Sequence, residues 1–229
     1  MSQNGNVRSK LAVKNSVYGI WSLLLDPACT EIMAGSGLDF IIFDGEHGTA
    51  SLSRIEENVR ILKAFNCDAI VRPSKVDPVE IQRILDIGVQ GILVPQVRTR
   101  EDVELVVKSA CLAPDGVRGY NPFTRAGHYC GNGKSEFFQN DKTIVGVLIE
   151  NKDAVTNIDD ILNVMGLDLI YIGVFDLSCA LGVPGDVSHV KVNDMIAIIT
   201  QKAVEKNISV GLMVDSKASS FRFQPLVNF

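Results

Sequence analysis

Short apolar runs alternate with longer amphipathic stretches along this chain. The runs are Val17–Leu24, Phe40–Phe43, Ala69–Val71, Gly91–Val94, Ile144–Ile149, Leu167–Ile172 and Ser209–Val214. Each is apolar throughout rather than alternately polar, the pattern of a strand covered on both faces. The stretches between them carry helix signals. Asp77-Pro78-Val79-Glu80 supplies a capping residue, a proline at the first helical position and a glutamate three residues after the cap. Ile81, Ile84 and Leu85 then form an apolar face, and Gly88 suits the stop. Val103, Val106, Val107 and Ala110 repeat that period in the next helix, as Ile55, Val59 and Leu62 do in an earlier one. Repeated β–α units imply parallel strands joined by right-handed crossovers.

Seven or eight such units predict an α/β fold of the (β/α)8 TIM-barrel type, one domain over residues 1–229. The alternative, a doubly wound open sheet, usually carries a glycine-rich GxGxxG loop after its first strand, and none is present. The end of the chain departs from the pattern. Only Asp215–Ser220 separate the seventh run from a candidate eighth, Phe221–Val227. A parallel crossover needs roughly a dozen residues. The last unit is therefore expected to be shortened, degenerate or differently paired after residue 214.

Composition narrows the classes. Hydrophobic residues make up 46% and charged residues 21% of the 229, an ordinary globular balance. The net charge of −5 argues against a nucleic-acid binder. No run is long enough to span a membrane, and the polar N-terminus lacks the apolar core of a signal peptide. The five cysteines include no CxxC pair, so reduced thiols in a cytoplasmic protein are expected rather than a disulfide framework.

In a barrel, chemistry gathers at the C-terminal ends of the strands. Run two is followed by Asp44-Gly45-Glu46-His47-Gly48, run three by Arg72-Pro73, run five by Glu150-Asn151, and run six by Gly173-Val174-Phe175-Asp176. Glu150 and Asp176, on neighbouring strands, could hold a hard divalent cation and leave positions for water and substrate; the plain alternative is that each caps a helix. His47 is either a general base or a hydrogen-bonded structural histidine. Arg72 either meets an anionic substrate or pairs with a fixed carboxylate.

These stretches resemble the HpcH/HpaI aldolase family of metal-dependent pyruvate aldolases. The matching segments are DFIIFDGEHG (39–48), IVRPSKVDPVEIQRILDIGVQGILVPQV (70–97), LAPDGVRGY (112–120), VLIEN (147–151) and IYIGVFDLSCALG (170–182). The resemblance implies reversible cleavage of a 2-keto-4-hydroxy acid to pyruvate and an aldehyde. It implies a divalent cation, Mg²⁺ or Mn²⁺ first and Co²⁺ or Zn²⁺ next, held by Glu150 and Asp176. It makes Arg72 the enolate-stabilising group, His47 the catalytic histidine, Asp86 its acidic partner and Asp44 a further active-site acid. It also places the pyruvate carboxylate at Gly173, Phe175 and Asp176, in a cytoplasmic homo-oligomer. Two positions depart from the family pattern: Leu148 stands where glutamine is common, and Phe175 enters a loop that usually carries proline. The aldehyde pocket is expected to draw on 116–128 and on another subunit; Arg118, Arg125 and His128 could meet an acidic or phosphorylated aldehyde, the plain alternative being a solvated loop. Rival readings are a Schiff-base aldolase using Lys75, a related lyase acting on oxaloacetate or an acyl-CoA thioester, and a catalytically weak relative kept for binding or assembly.

Overall fold

The computed structural model describes residues 7–131, 143–214 and 229. In chain order its elements are α1 (Val7–Ala12), β1 (Gly19–Ser22), α2 (Pro27–Gly35), β2 (Phe40–Asp44), α3 (Leu52–Phe65), β3 (Asp68–Arg72), α4 (Pro78–Asp86), β4 (Gly91–Val94) and α5 (Arg100–Ala110). There follow a 3-10 turn (His128–Cys130), β5 (Ile144–Ile149), α6 (Lys152–Thr156), α7 (Ile158–Ile161), β6 (Leu169–Ile172), α8 (Val174–Ala180), α9 (Val190–Glu205) and β7 (Ser209–Leu212). All seven strands lie in one parallel sheet in sequential order. Each crossover runs over the same face, so the sheet has an inside and an outside.

Those two sides carry separate cores. Ile41, Phe43, Ala69, Val71, Ile92, Val94, Val147, Ile170 and Val210 point outward and pack on helices. The alternate residues Phe40, Ile42, Ile70, Leu93, Ile144, Leu148, Leu169 and Tyr171 point inward and pack on one another. This is why β2 to β6 are buried at every position and apolar except at the strand-end residues Asp44, Asp68 and Arg72, as the continuous runs predict. The sheet is strongly curved. Trp21 of β1 reaches across the inside to donate its indole N–H to the Tyr171 hydroxyl of β6 at 2.9 Å. Phe229 stacks on Phe40 of β2 at 4.2 Å between centroids. Its N–H donates to the Val210 carbonyl, and its own carbonyl accepts from Leu212 N–H. That exchange is parallel strand pairing alongside β7. The candidate eighth run, Phe221–Val227, lies outside the described residues.

β1 is shorter than the run Val17–Leu24 predicts, and Gly19 and Ile20 are exposed on it. Among the described strands it pairs only with β2, so it lacks the double cover of the others. The helix signals hold. Asp77 caps α4 by accepting from Val79 and Glu80 N–H, with Pro78 first in the helix. Glu80 does more than the capping pattern suggests: its carboxylate accepts from the Ser74 N–H and hydroxyl, fixing the loop after β3. Gly88 follows α4 at φ +77, where a Cβ would lie 2.7 Å from Arg125 Nη1.

Helix α1 closes the N-terminal end of the sheet. Val7 N–H donates to Asp68 at 2.7 Å, Arg8 pairs with Asp168 at 2.8 Å, and Lys10 pairs with Asp39. These three acids stand at the starts of β3, β6 and β2. A cavity of about 350 Å³ at this end is lined by Arg8, Leu11, Lys14, Ile144, Asp168 and Asn207. It is remote from the strand ends that carry the candidate chemistry.

Candidate active site

The DGEHG segment is shaped by Asp44. Its Oδ1 accepts from Glu46 N–H at 2.9 Å and His47 N–H at 3.2 Å, turning the chain sharply off β2. Gly45 N–H donates to the Arg72 carbonyl at 2.8 Å, and a Cβ at Gly45 would lie 2.7 Å from that oxygen. The glycine therefore lets the β2 loop lie directly on the end of β3. The same contact brings Arg72 beside two acids. Its Nε and Nη2 donate to the two oxygens of Asp44 at 2.9 and 2.5 Å, and its Nη1 lies 2.9 Å from Glu46 Oε2. The Trp21 ring covers the guanidinium, 4.6 Å from ring centroid to Cζ. Arg72 is 7% exposed and Asp44 5%. Burial pushes the Asp44 carboxyl up, but Arg72 and the two loop N–H groups outweigh it and hold it below the ordinary carboxylate range.

Glu150 follows β5 and is 5% exposed. Gln96 N–H donates to its Oε1 at 2.7 Å. Asn151 caps α6 and donates its amide to the Val97 carbonyl, which fixes the backbone that carries Glu150. Gly173 closes the other side: a Cβ there would stand 2.8 Å from Glu150 Cβ and 3.0 Å from Oε2. Asp176 lies in the first turn of α8 and is exposed. Burial raises the Glu150 carboxyl, and the charges of Glu46 and Asp176 push it further, against the Gln96 N–H and Arg72.

Asp44, Arg72, Glu150, Gly173 and Asp176 therefore meet at the C-terminal ends of β2, β3, β5 and β6. His47 stands at the rim with an exposed ring, Nε2 3.9 Å from Glu46 Oε2. Phe175 is 55% exposed beside Asp176, and Leu148 is buried in the inner core beneath Glu150. Arg72 does pair with fixed carboxylates, so that alternative describes the free protein.

Asp86 is not in this group. Helix α4 runs back from the end of β3, so its last residue lies at the N-terminal end of the sheet. There its backbone carbonyl accepts from Ala126 N–H, and burial raises its carboxyl against the charge of Arg118. A His47–Asp86 pair does not form within one chain. The segment 116–128 is placed likewise. It belongs to the α5–β5 connection and packs on the far ends of the helices. Gly119 N–H donates to Gln82, Arg125 donates to the Ile87 and Gly88 carbonyls, and Arg118 Nη1 donates to the Ala110 carbonyl. These contacts hold 116–128 away from the strand C-termini of its own chain. Lys75 is a solvated side chain 3.7 Å from Asp77.

Three uncharged participants and one acid are not singled out by the sequence pattern. Glu46 is inside the DGEHG segment, yet attention falls on its histidine. It is 9% exposed in its side chain and accepts from Gln96 Nε2 at 2.6 Å. Gln96 follows β4 and is uncharged. Trp21 and Tyr171 read as ordinary strand residues. Burial pushes the Tyr171 hydroxyl up to about 12.

The model for HpcH/HpaI aldolase/citrate lyase matches residues 17–222. This chain belongs to that family. It is 35% identical over 217 residues to the 5-keto-4-deoxy-D-glucarate aldolase of Escherichia coli strain K12, covering 94% of this chain and 84% of that one. Among solved structures, the HpcH/HpaI aldolase of Desulfitobacterium hafniense DCB-2 superposes with a TM-score of 0.89 at 30% identity, over 98% of this chain and 88% of that one. The citrate synthase SbnG gives 0.87 at 30% identity, over 97% and 88%.

Proposed function

We propose that this chain is a divalent-metal-dependent aldolase that reversibly cleaves a 2-keto-4-hydroxy acid to pyruvate and an aldehyde. One observation carries the reading: Glu150, a buried carboxylate facing the like charges of Glu46 and Asp176, sits across from the buried guanidinium of Arg72. Excess negative charge in a buried pocket calls for a cation. The donor set fits one. Glu150 gives one oxygen to the Gln96 N–H and keeps Oε2 toward Gly173, and Asp176 is exposed on the same side. Among the described residues no group of three or more His, Cys, Asp and Glu side chains could hold an ion alone. Two carboxylates that leave the remaining positions to water and substrate suit Mg²⁺ or Mn²⁺. Bound there, such an ion supplies Lewis acidity toward the keto oxygen and carboxylate of the substrate.

The protein's own groups supply the rest. A base takes the proton of the C4 hydroxyl, the C3–C4 bond breaks, and its electron pair moves to the C2 oxygen to give the enolate of pyruvate. Protonation at C3 completes the reaction. Arg72 is the preorganised donor for that oxygen. Asp44 holds the guanidinium from one edge, and Trp21 covers its face, so little reorganisation is needed as charge develops. His47 is the base, its ring exposed at the rim where the aldehyde leaves. The Gly173–Asp176 turn receives the pyruvate carboxylate. The aldehyde pocket is completed by another copy of the chain in a homo-oligomer, since 116–128 packs on the opposite end of its own chain. The fold is a (β/α)8 barrel, of which the seven described strands form part. All five cysteines are free, which fits the cytoplasm. No helix among the described residues is long and apolar enough to cross a membrane.

A second reading, lyase chemistry on oxaloacetate or an acyl-CoA thioester, draws support from the likeness to the citrate synthase SbnG. The deciding experiment is pyruvate release from a generic 2-keto-4-hydroxy acid after chelation, with and without added Mg²⁺ or Mn²⁺. Release only with the ion is expected. Release that survives complete metal removal overturns the metal role. None from folded, Mn²⁺-binding protein favours the second reading.

A further inference from the structure

Gln96 joins the two acids that approach each other from opposite sides of the site. Its main-chain N–H donates to Glu150 Oε1 at 2.7 Å, and its side-chain amide donates to Glu46 Oε1 at 2.6 Å. Glu46 turns its other oxygen to Arg72 Nη1 at 2.9 Å. Glu46 comes from the β2 loop and Glu150 from the end of β5, and their like charges repel. A neutral residue with two separate donors holds both without cancelling either charge. Its backbone is set for that task. Gln96 has φ +57, in the left-handed region that a residue with a side chain seldom adopts. The turn lies beyond the end of β4 at Val94. Strain of this kind persists where the surroundings over-determine it, and such positions cluster at active sites.

We infer that Gln96 is a positioning residue for the cation site: it fixes the spacing of Glu46 and Glu150, so that Glu150 presents Oε2 to a divalent ion while Glu46 stays on Arg72. The inference rests on the reading of Glu150 and Asp176 as cation ligands. Partners of this kind, which orient a ligating carboxylate without touching the ion, typically change metal affinity or activity by about 10–100-fold when removed.

Two substitutions separate this role from a structural one. Gln96→Met keeps the bulk and the main-chain N–H and removes the amide. Gln96→Gly also removes the amide but relaxes the left-handed backbone. Mn²⁺ binding to the apoprotein is followed by electron paramagnetic resonance, with thermal unfolding measured on the same samples. Both variants are expected to bind Mn²⁺ at least about tenfold more weakly than wild type, with Gln96→Gly melting at or above the wild-type temperature. Weaker binding by a protein at least as stable is not what a filler of space produces. Mn²⁺ affinity within about twofold of wild type in both variants overturns the inference and leaves the cation reading standing. Wild-type protein that binds no Mn²⁺ overturns both.

Discussion

Replacing Arg72 by Met tests how the buried ion cluster is held together. The substitution keeps a comparable apolar stem and removes the guanidinium. Asp44, 5% exposed, then loses the donors at 2.9 and 2.5 Å, and Glu46 loses its partner at 2.9 Å. Breaking a buried pair by deleting one partner costs about 3–5 kcal/mol, because the remaining charge stays buried. For a chain of this size that is a fall of roughly 6–20 °C in melting temperature. The pH dependence identifies the cause. In wild type, burial raises Asp44, but Arg72 and the loop N–H groups lower it further, giving a net depression. Its stabilisation is therefore present above the ordinary carboxylate value and is lost as pH falls through the lowered one. In Arg72→Met, burial, the largest influence, is opposed only by the two loop N–H groups, and the carboxyl rises from its wild-type position. The variant is then penalised near neutrality and relieved as acid protonates Asp44. The gap between variant and wild type should be widest at about pH 7.5 and should narrow by about pH 5. Circular-dichroism melts on chelated protein measure it; Glu150, which Arg72 also holds down, moves the gap in the same direction. The double variant Asp44→Asn/Arg72→Met should melt above the single one. A gap that is constant or widens in acid, or a double variant no more stable than the single, refutes the reasoning.

Two further outcomes follow from burial and charge. Glu150→Gln removes a carboxylate raised by burial and by two neighbouring acids, so its charged form costs stability above the raised value and the cost vanishes in acid. The metal-free variant should melt above wild type near neutrality, with the difference closing as pH falls, and calorimetry should find no Mn²⁺ binding. Asp68 is pushed up to about 6, chiefly by burial, while it accepts the Val7 N–H. Asp68→Asn keeps that acceptor without the charge, so urea unfolding should show it more stable than wild type above about pH 6 and indistinguishable at about pH 4; equal stability at both values would show that Asp68 is better solvated than its burial implies.

The positions of the strands were legible because every one from β2 to β6 is covered on both sides, and a doubly covered strand is apolar through its middle. The helix starts were legible because Asp77 and Pro78 act within one turn of chain. The ends of β2, β3, β5 and β6 were legible as a site for a related reason: a parallel sheet of right-handed crossovers brings all of them to one face, whatever the side chains are. Asp44, Arg72, Glu150 and Asp176 could thus be grouped before any coordinates.

What the sequence could not decide was distance and direction across the inside of the sheet. Trp21 and Tyr171 are separated by 150 positions, and only the curvature of the sheet makes them partners. Glu46, beside a histidine in the chain, turns instead to Arg72 and Gln96, because Asp44 folds the loop back over β3. Gln96 carries no charge, so nothing in the pattern marks it; its two donors matter only because a left-handed backbone aims them at two acids. Asp86 and 116–128 show the converse. Resemblance groups them with the site, but α4 and the α5–β5 connection deliver them to the opposite end of the sheet. Local patterning determined which elements form and which face carries the chemistry, since those depend on burial and chain direction. The pairing of charges within that face depended on how far the sheet curls, which no segment encodes alone.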